Sequence, residues 1–271
     1  MTRLGIIVLF AGLVALCCIY AYRLEQTAFF SQDAAGISQV SVSTRNGSIS
    51  VSAGPDSVIS AAATKRAYGR DSADAAQALA NVTVTSEVQA SRYVLRAQMP
   101  GGNRNYGASF QVAAPESVGL ELTTTNGSVT VGSMRAGVMV STTNGTISLT
   151  GTAGAASLST TNSSVTVAVH QGEANIETTN GSVDCDIAGL APTEKVTIST
   201  TNGTVVLLLP ADVSALVDLK TTNGTITIHG YDPVFEKQTK DHIRARLGSG
   251  ASAITVSTSN GDVRVANRSH E

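Results

Sequence analysis

The stretch Ser141-Thr142-Thr143-Asn144-Gly145-Thr146-Ile147-Ser148-Leu149 decides the fold, because it recurs along the chain. Thr-Thr-Asn-Gly, or a close variant, stands at Asn46, Asn126, Asn144, Asn162, Asn180, Asn202, Asn223 and Asn260, and from Asn126 onward the successive spacings are 18, 18, 18, 22, 21 and 37 residues. A short unit repeated at fixed phase is a supersecondary element that buries its apolar face only against its neighbours. Aligned on the Asn, apolar residues fall six and four positions before it and three and five after it, as in Val138, Val140, Ile147 and Leu149, or Val196, Ile198, Val205 and Leu207. Two short alternating strands therefore flank each turn.

Asn-Gly is also a strong hairpin signal, since both residues tolerate positive φ, and on that ground the turn glycine is expected in the left-handed region, with Ser163 the odd member of its row. An open antiparallel meander of about sixteen strands would exceed the roughly ten that open sheets tolerate, and its apolar face would lack a cover. A solenoid covers itself. The chain is accordingly read as all-β, a parallel β-helix or solenoid of about eight coils, with rows of Val, Ile and Leu inside and a row of Asn at the turn. An N-terminal transmembrane helix and a short α-containing segment near residues 71-80 complete the expectation.

Residues 56-115 break the strict repeat. Asp71 or Ser72 can cap a helix through Ala80, and strands are expected near 82-88, 93-98 and 109-113, a set able to close one open end of the solenoid. The regular repeats occupy 119-231. In the insertion 232-250, Asp232-Pro233 reads as a helix start, Glu236 and Lys240 as an i,i+4 pair and Gly248 as a stop, with a loop as the competing reading. A final coil at 253-266 ends the repeat domain, whose limits are 37-266.

Residues Leu4 to Tyr22 form an uncharged run of 19 between Arg3 and Arg23, long enough to span a bilayer of about 30 Å. The residues before Ala21 and Ala28 suit signal cleavage poorly, so residues 1-30 are read as a retained signal anchor with the repeat domain extracytoplasmic, periplasmic or at the cell surface.

Charged residues make up 14% of the chain, with 18 basic against 20 acidic, so a nucleic-acid groove is not expected. Asp184 and Asp186 flank Cys185 on one strand face, the arrangement a glycosidase or lyase would use, but neither has a His, Lys or Arg beside it in sequence, and a solvated acidic face is the preferred reading. Cys185 takes a core position. The histidines His170, His229, His242 and His270 share no ligand spacing, so no metal, cofactor or catalytic residue is assigned. Nine Asn-X-Ser/Thr sequons occur, seven of them by-products of the turn. Outward positions one and three before the Asn form hydroxyl rows, such as Ser141, Thr143, Ser159, Thr161, Ser199 and Thr201, interrupted by Glu177 and Lys220. Lys237, Lys240, Arg244 and Arg246 make the insertion a basic segment beside a neutral-to-acidic solenoid and a candidate contact for an anionic envelope polymer.

The repeats exemplified by 141-149, the segment Lys65-Arg66-Ala67-Tyr68-Gly69 leading to Asp74-Ala75-Ala76, and the closing 254-262 resemble the bacterial candidate-adhesin domains of the cell envelope over about residues 37-266. That resemblance implies a β-helical, adhesin-like or scaffolding protein with no catalytic motif, presenting an extended surface to a glycan, to a protein or to copies of itself. A carbohydrate-active enzyme on the same fold and a self-assembling structural element are the alternatives.

Overall fold

The computed structural model describes residues 22-101 and 105-268. The expected membrane anchor lies outside them apart from its last residues, and no helix among the described residues is long and apolar enough to cross a membrane. In chain order the elements are β1 (Tyr22–Asp33), β2 (Gln39–Ser43), β3 (Ile49–Ala53), β4 (Val58–Gly69), α1 (Ser72–Ala80), β5 (Thr83–Gln89), β6 (Arg92–Gln98) and β7 (Gly107–Ala114). The regular coils follow as pairs: β8 (Gly119–Thr123) with β9 (Val129–Gly132), β10 (Val138–Ser141) with β11 (Ile147–Thr150), β12 (Ala156–Thr160) with β13 (Val165–Gln171), β14 (Ala174–Asn180) with β15 (Val183–Gly189), and β16 (Lys195–Asn202) with β17 (Val205–Leu209). Then come β18 (Ala215–Asn223), β19 (Ile226–His229), β20 (Val234–Gln238), β21 (His242–Leu247), β22 (Ser252–Asn260) and β23 (Val263–Asn267).

Each coil gives the strand before its Asn to a twelve-stranded sheet and the strand after it to an eleven-stranded sheet. Successive coils pair in parallel at one register, so Val138, Val140, Ile147 and Leu149 sit beside Ala156, Leu158, Val165 and Val167. These inward positions are 0–4% exposed and form one continuous apolar core between the sheets. The fold is all-β in two large, mostly parallel sheets.

The turn glycines behave otherwise than the hairpin signal implies: Gly47, Gly127, Gly145, Gly181, Gly203 and Gly224 are not left-handed. Space is the reason for glycine here. A Cβ on Gly145 would stand 1.9 Å from the Gly127 carbonyl oxygen, and one on Gly181 would stand 2.0 Å from that of Ser163. Coils one strand spacing apart leave no room for a side chain at that corner. Where Ser163 replaces the glycine, the Ile147 N–H reaches the Ser164 carbonyl at 3.3 Å, against 2.9 Å for Val129 to Thr146 and 3.0 Å for Val165 to Ser182.

At the N-terminal end the pairing turns antiparallel, β1 with β4, β4 with β7 and β5 with β6, and this closes the stack. Residues 22-30, expected as the tail of the anchor, form most of β1 instead. Their alternation explains it: Arg23 and Glu25 point to solvent, while Leu24 packs against the cluster containing Ala78 and Leu79 of α1. The helix starts where the sequence places it, with Asp71 Oδ1 accepting from the Asp74 N–H at 2.8 Å and Asp74 Oδ2 from the Arg70 N–H at 2.9 Å.

The C-terminal end departs from chain order. β22 lies between β16 and β18, and β23 between β17 and β19. The coil made last is therefore next to last in space, and the Asn223 coil is outermost. The insertion is no helix: β20 and β21 form an antiparallel hairpin that adds to the free side of β18. Ile243, Ala245 and Leu247 alternate inward with Arg244 and Arg246 outward, a period of two that suits the unpaired edge of β18 and overrides the Glu236–Lys240 helix spacing.

Candidate functional site

Eight Asn side chains form one hydrogen-bonded ladder along the turn edge. The Nδ2 of Asn126, Asn144, Asn162, Asn180, Asn202, Asn260 and Asn223 each donates to Oδ1 of the Asn before it in space, at 2.7–2.9 Å, and Asn46 ends the run on the Tyr106 carbonyl at 3.1 Å. The ladder consumes the Asn amides, so the turn sequons serve the structure. A second ladder lies beneath it. Thr124, Thr142, Thr160, Thr178, Thr200, Thr258 and Thr221, two positions before each Asn, are buried and donate Oγ1 to the turn carbonyl of the neighbouring coil at 2.8–3.2 Å. Thr44 does the same with the Ala108 carbonyl at 2.9 Å. Sequence reasoning passed over these residues, yet the signal was present: this position is Thr in all eight copies, while the position after it varies among Arg, Thr and Ser.

The outer face of the twelve-stranded sheet carries the expected hydroxyl rows, with Ser141, Thr143, Ser159, Thr161 and Thr201 exposed. Near their start the face sinks into a trough of about 670 Å³ crossing several coils, where Gly119, Gly137 and Ala155 place little side chain beside Met139. At the other end, Lys237, Asp241 and His242 at the tip of the β20–β21 hairpin line one side of a cleft of about 480 Å³ whose other lining includes Ser199, Thr201, Ser257, Ser259 and Thr222.

The basic segment only partly converges on that cleft. Lys237 reaches it, its Nζ donating to His242 Nδ1 at 2.8 Å; His242 Nε2 in turn lies 2.9 Å from Asp218 Oδ1, and Lys220 Nζ lies 3.3 Å from the same carboxylate. Arg244 sits on the outer face between Asp218 and Lys237 in register, 3.7 Å from Glu236. Arg246 is one step further along β21, and Lys240 is exposed in the hairpin turn. The cleft's His242 and Lys220, and the Asp218 carboxylate that both contact beside it, come from residues that sequence alone had not grouped, since pairing β21 with β18 brings them together.

The acidic pair does not converge into a catalytic site. Asp186 is bound by Arg268 Nε at 2.7 Å, and its Oδ2 accepts from the Val169 N–H at 3.3 Å, while Asp184 is exposed. Cys185 is fully buried, and loss of solvation drives its thiol pKa far up, out of reach of nucleophilic use. His170, noted in the sequence only for its lack of ligand spacing, is 1% exposed. Its Nε2–H donates to the Glu173 carbonyl at 3.0 Å, so Nδ1 accepts from Thr152 Oγ1 at 2.9 Å, and burial pushes its pKa down and keeps the ring neutral. Among the described residues no cluster of His, Cys, Asp and Glu could hold a metal ion.

Residues 31-266 match the protein family described as Toastrack DUF4097. Similar solved structures include a candidate cell adhesion protein from Clostridium sporogenes (13% identity, TM-score 0.44, covering 90% of this chain and 100% of that one). A candidate adhesin from Bacteroides fragilis follows (11%, 0.42, 89% and 96%), as does one from Parabacteroides merdae (8%, 0.40, 89% and 95%). No curated protein matches the chain.

Proposed function

The chain belongs to the Toastrack DUF4097 family, and from that premise we propose that it is a non-catalytic, adhesin-like or scaffolding protein of the cell envelope that makes contact through the outer face of its twelve-stranded sheet. The observation that carries the reading is the division of labour within each coil. The Asn, the buried Thr and the turn glycine are consumed in stacking, whereas the outward positions one and three before the Asn carry hydroxyls in most coils, interrupted by Arg45, Glu177 and Lys220, and are left on the outer face. Repetition of shallow contacts yields affinity by multivalency. The reading also takes residues 1-21 as the membrane anchor, with the solenoid outside the cytoplasm.

Three measurements test it. Protease added to intact spheroplasts should digest the solenoid; digestion only after membrane rupture would overturn the topology. The full chain in detergent, used as bait with envelope glycans and proteins, should retain a partner. Turnover of an envelope polysaccharide, abolished by Asp184→Asn or Asp186→Asn, would overturn the non-catalytic reading.

A further inference from the structure

Within the contact surface just proposed, and resting on that reading, the geometry points to one localised site: the cleft between the β20–β21 hairpin and the Asn202, Asn260 and Asn223 coils binds an acidic glycan, a polyhydroxylated chain bearing carboxylates. Its floor is a grid. Ser199 and Thr201, Ser257 and Ser259, and Lys220 and Thr222 project from three adjacent strands, spaced about 4.8 Å between strands and about 6.6 Å along each. Hydroxyls at that pitch both donate and accept, as sugar hydroxyls do. A volume of about 480 Å³ suits one or two sugar residues. No Phe, Tyr or Trp lines the cleft, so hydrogen bonds and charge rather than stacking would hold the ligand.

The wall supplies the charge. An ammonium only donates, so the 2.8 Å contact makes His242 Nδ1 the acceptor of Lys237, and Nε2–H then donates to Asp218. Asp218, 31% exposed beside the cleft, is thereby engaged by His242 and Lys220, while Lys237 and Lys220 each keep further N–H donors for a ligand. Holding Lys237 on His242 lowers the side-chain entropy that binding must remove. Of the charged residues lining the cleft, Lys220 and Lys237 face Asp241 alone, whose carboxylate already accepts from Thr239 Oγ1 at 2.8 Å. Lys195, Arg244 and Arg246 extend the positive character over the same face. Over the middle coils the outward charges are Glu173 and Glu177, and beyond them Glu121 is paired with Arg92 at 3.0 Å beside Arg96, so next to the cleft an anionic chain meets carboxylates and settles better at the cleft itself.

The test titrates the full chain in detergent with oligogalacturonate, neutral dextran oligosaccharide and phosphatidylglycerol vesicles, comparing wild type, Lys220→Gln/Lys237→Gln and the remote control Arg135→Gln. Oligogalacturonate should bind at least tenfold better than dextran or vesicles. The double variant should lose about tenfold in affinity and show a shallower salt dependence, and the control should match wild type. Equal binding by the double variant, or a preference for vesicles or dextran, overturns the cleft assignment. If envelope glycans are retained equally by wild type and double variant, the site fails while the surface-contact reading stands; if wild type retains no envelope component at all, both fail.

Discussion

From Asn126 to Asn202 the coils stack in the order in which the chain makes them, whereas the last two exchange places: Asn202 is followed in space by Asn260 and only then by Asn223. Both regions use the same apolar rows, the same Thr hydroxyl and the same Asn amide. The repeat chemistry therefore makes coils adhesive to one another without saying which neighbour each must take. In the middle region short connections leave no choice. At the C-terminal end the order is set by residues outside the repeat. The hairpin occupies the free side of β18, the left-handed Gly248 and Gly250 turn the chain back over Ser214, and Ser214 Oγ meets Ser249 Oγ at 2.7 Å. Asp262, where the other coils have Ser or Thr, accepts from the Thr225 N–H and Oγ1 at 2.9 Å each and joins the exchanged pair.

The sharpest way to break this comparison is cross-linking. Adjacent strands lie about 4.8 Å apart and a strand two places away about 9.6 Å, beyond the roughly 7 Å limit for a disulfide. Under mild oxidation Asn202→Cys with Asn260→Cys should cross-link, and Asn260→Cys with Asn223→Cys likewise, but Asn202→Cys with Asn223→Cys should not. Cross-linking of that last pair would mean that the coils follow chain order.

Burial grades the next effects. Ile147 is 0% exposed and in the middle region, so Ile147→Asp should cost several kcal/mol, while Thr143→Asp on the outer face should stay within about 0.5 kcal/mol. Ile228, half-buried in the outermost coil, should tolerate Asp better than Ile147 does. Equal losses in melting temperature would contradict the assignment of faces and ends. Gly181→Ala should cost about 2 kcal/mol by pressing a methyl group onto the Ser163 carbonyl, against a small change for Gly132→Ala, where a Cβ meets nothing within 4 Å.

Smaller still is the threonine ladder. Thr200→Val leaves the Gly181 carbonyl without its side-chain donor and should cost about 1 kcal/mol by urea denaturation, whereas exposed Thr201→Val should be near neutral. His170 adds a pH dependence. Burial, only partly opposed by its hydrogen bonds and by Glu194, lowers its folded pKa, so the unfolded chain takes up the proton first as pH falls. Stability from this residue is complete above the ordinary histidine value near 6.5 and declines below it, and His170→Gln should flatten the melting temperature between pH 7 and pH 5.

Much of this was legible in residues alone. The period-two rows flanking each Asn named the core, and the Asp71-Ser72 pair marked the helix start, which the structure assigns to Asp71. The turn misled: Asn-Gly advertises positive φ, but its glycine is there because the next coil lies against it, a contact no single repeat contains. The insertion misled for a related reason. Glu236 and Lys240 fit a helix locally, yet an unpaired strand edge offers a run of backbone hydrogen bonds that local spacing cannot match.

What the sequence by itself determined is the coil, since side-chain alternation and the Thr-Thr-Asn-Gly corner are properties of consecutive residues. Tertiary structure alone decided the order of the last coils and the joining of Lys220 and Asp218 with Lys237 and His242 at one cleft. Those outcomes depend on which strand edges are left open once the rest has packed, and an open edge is a property of the assembled sheet.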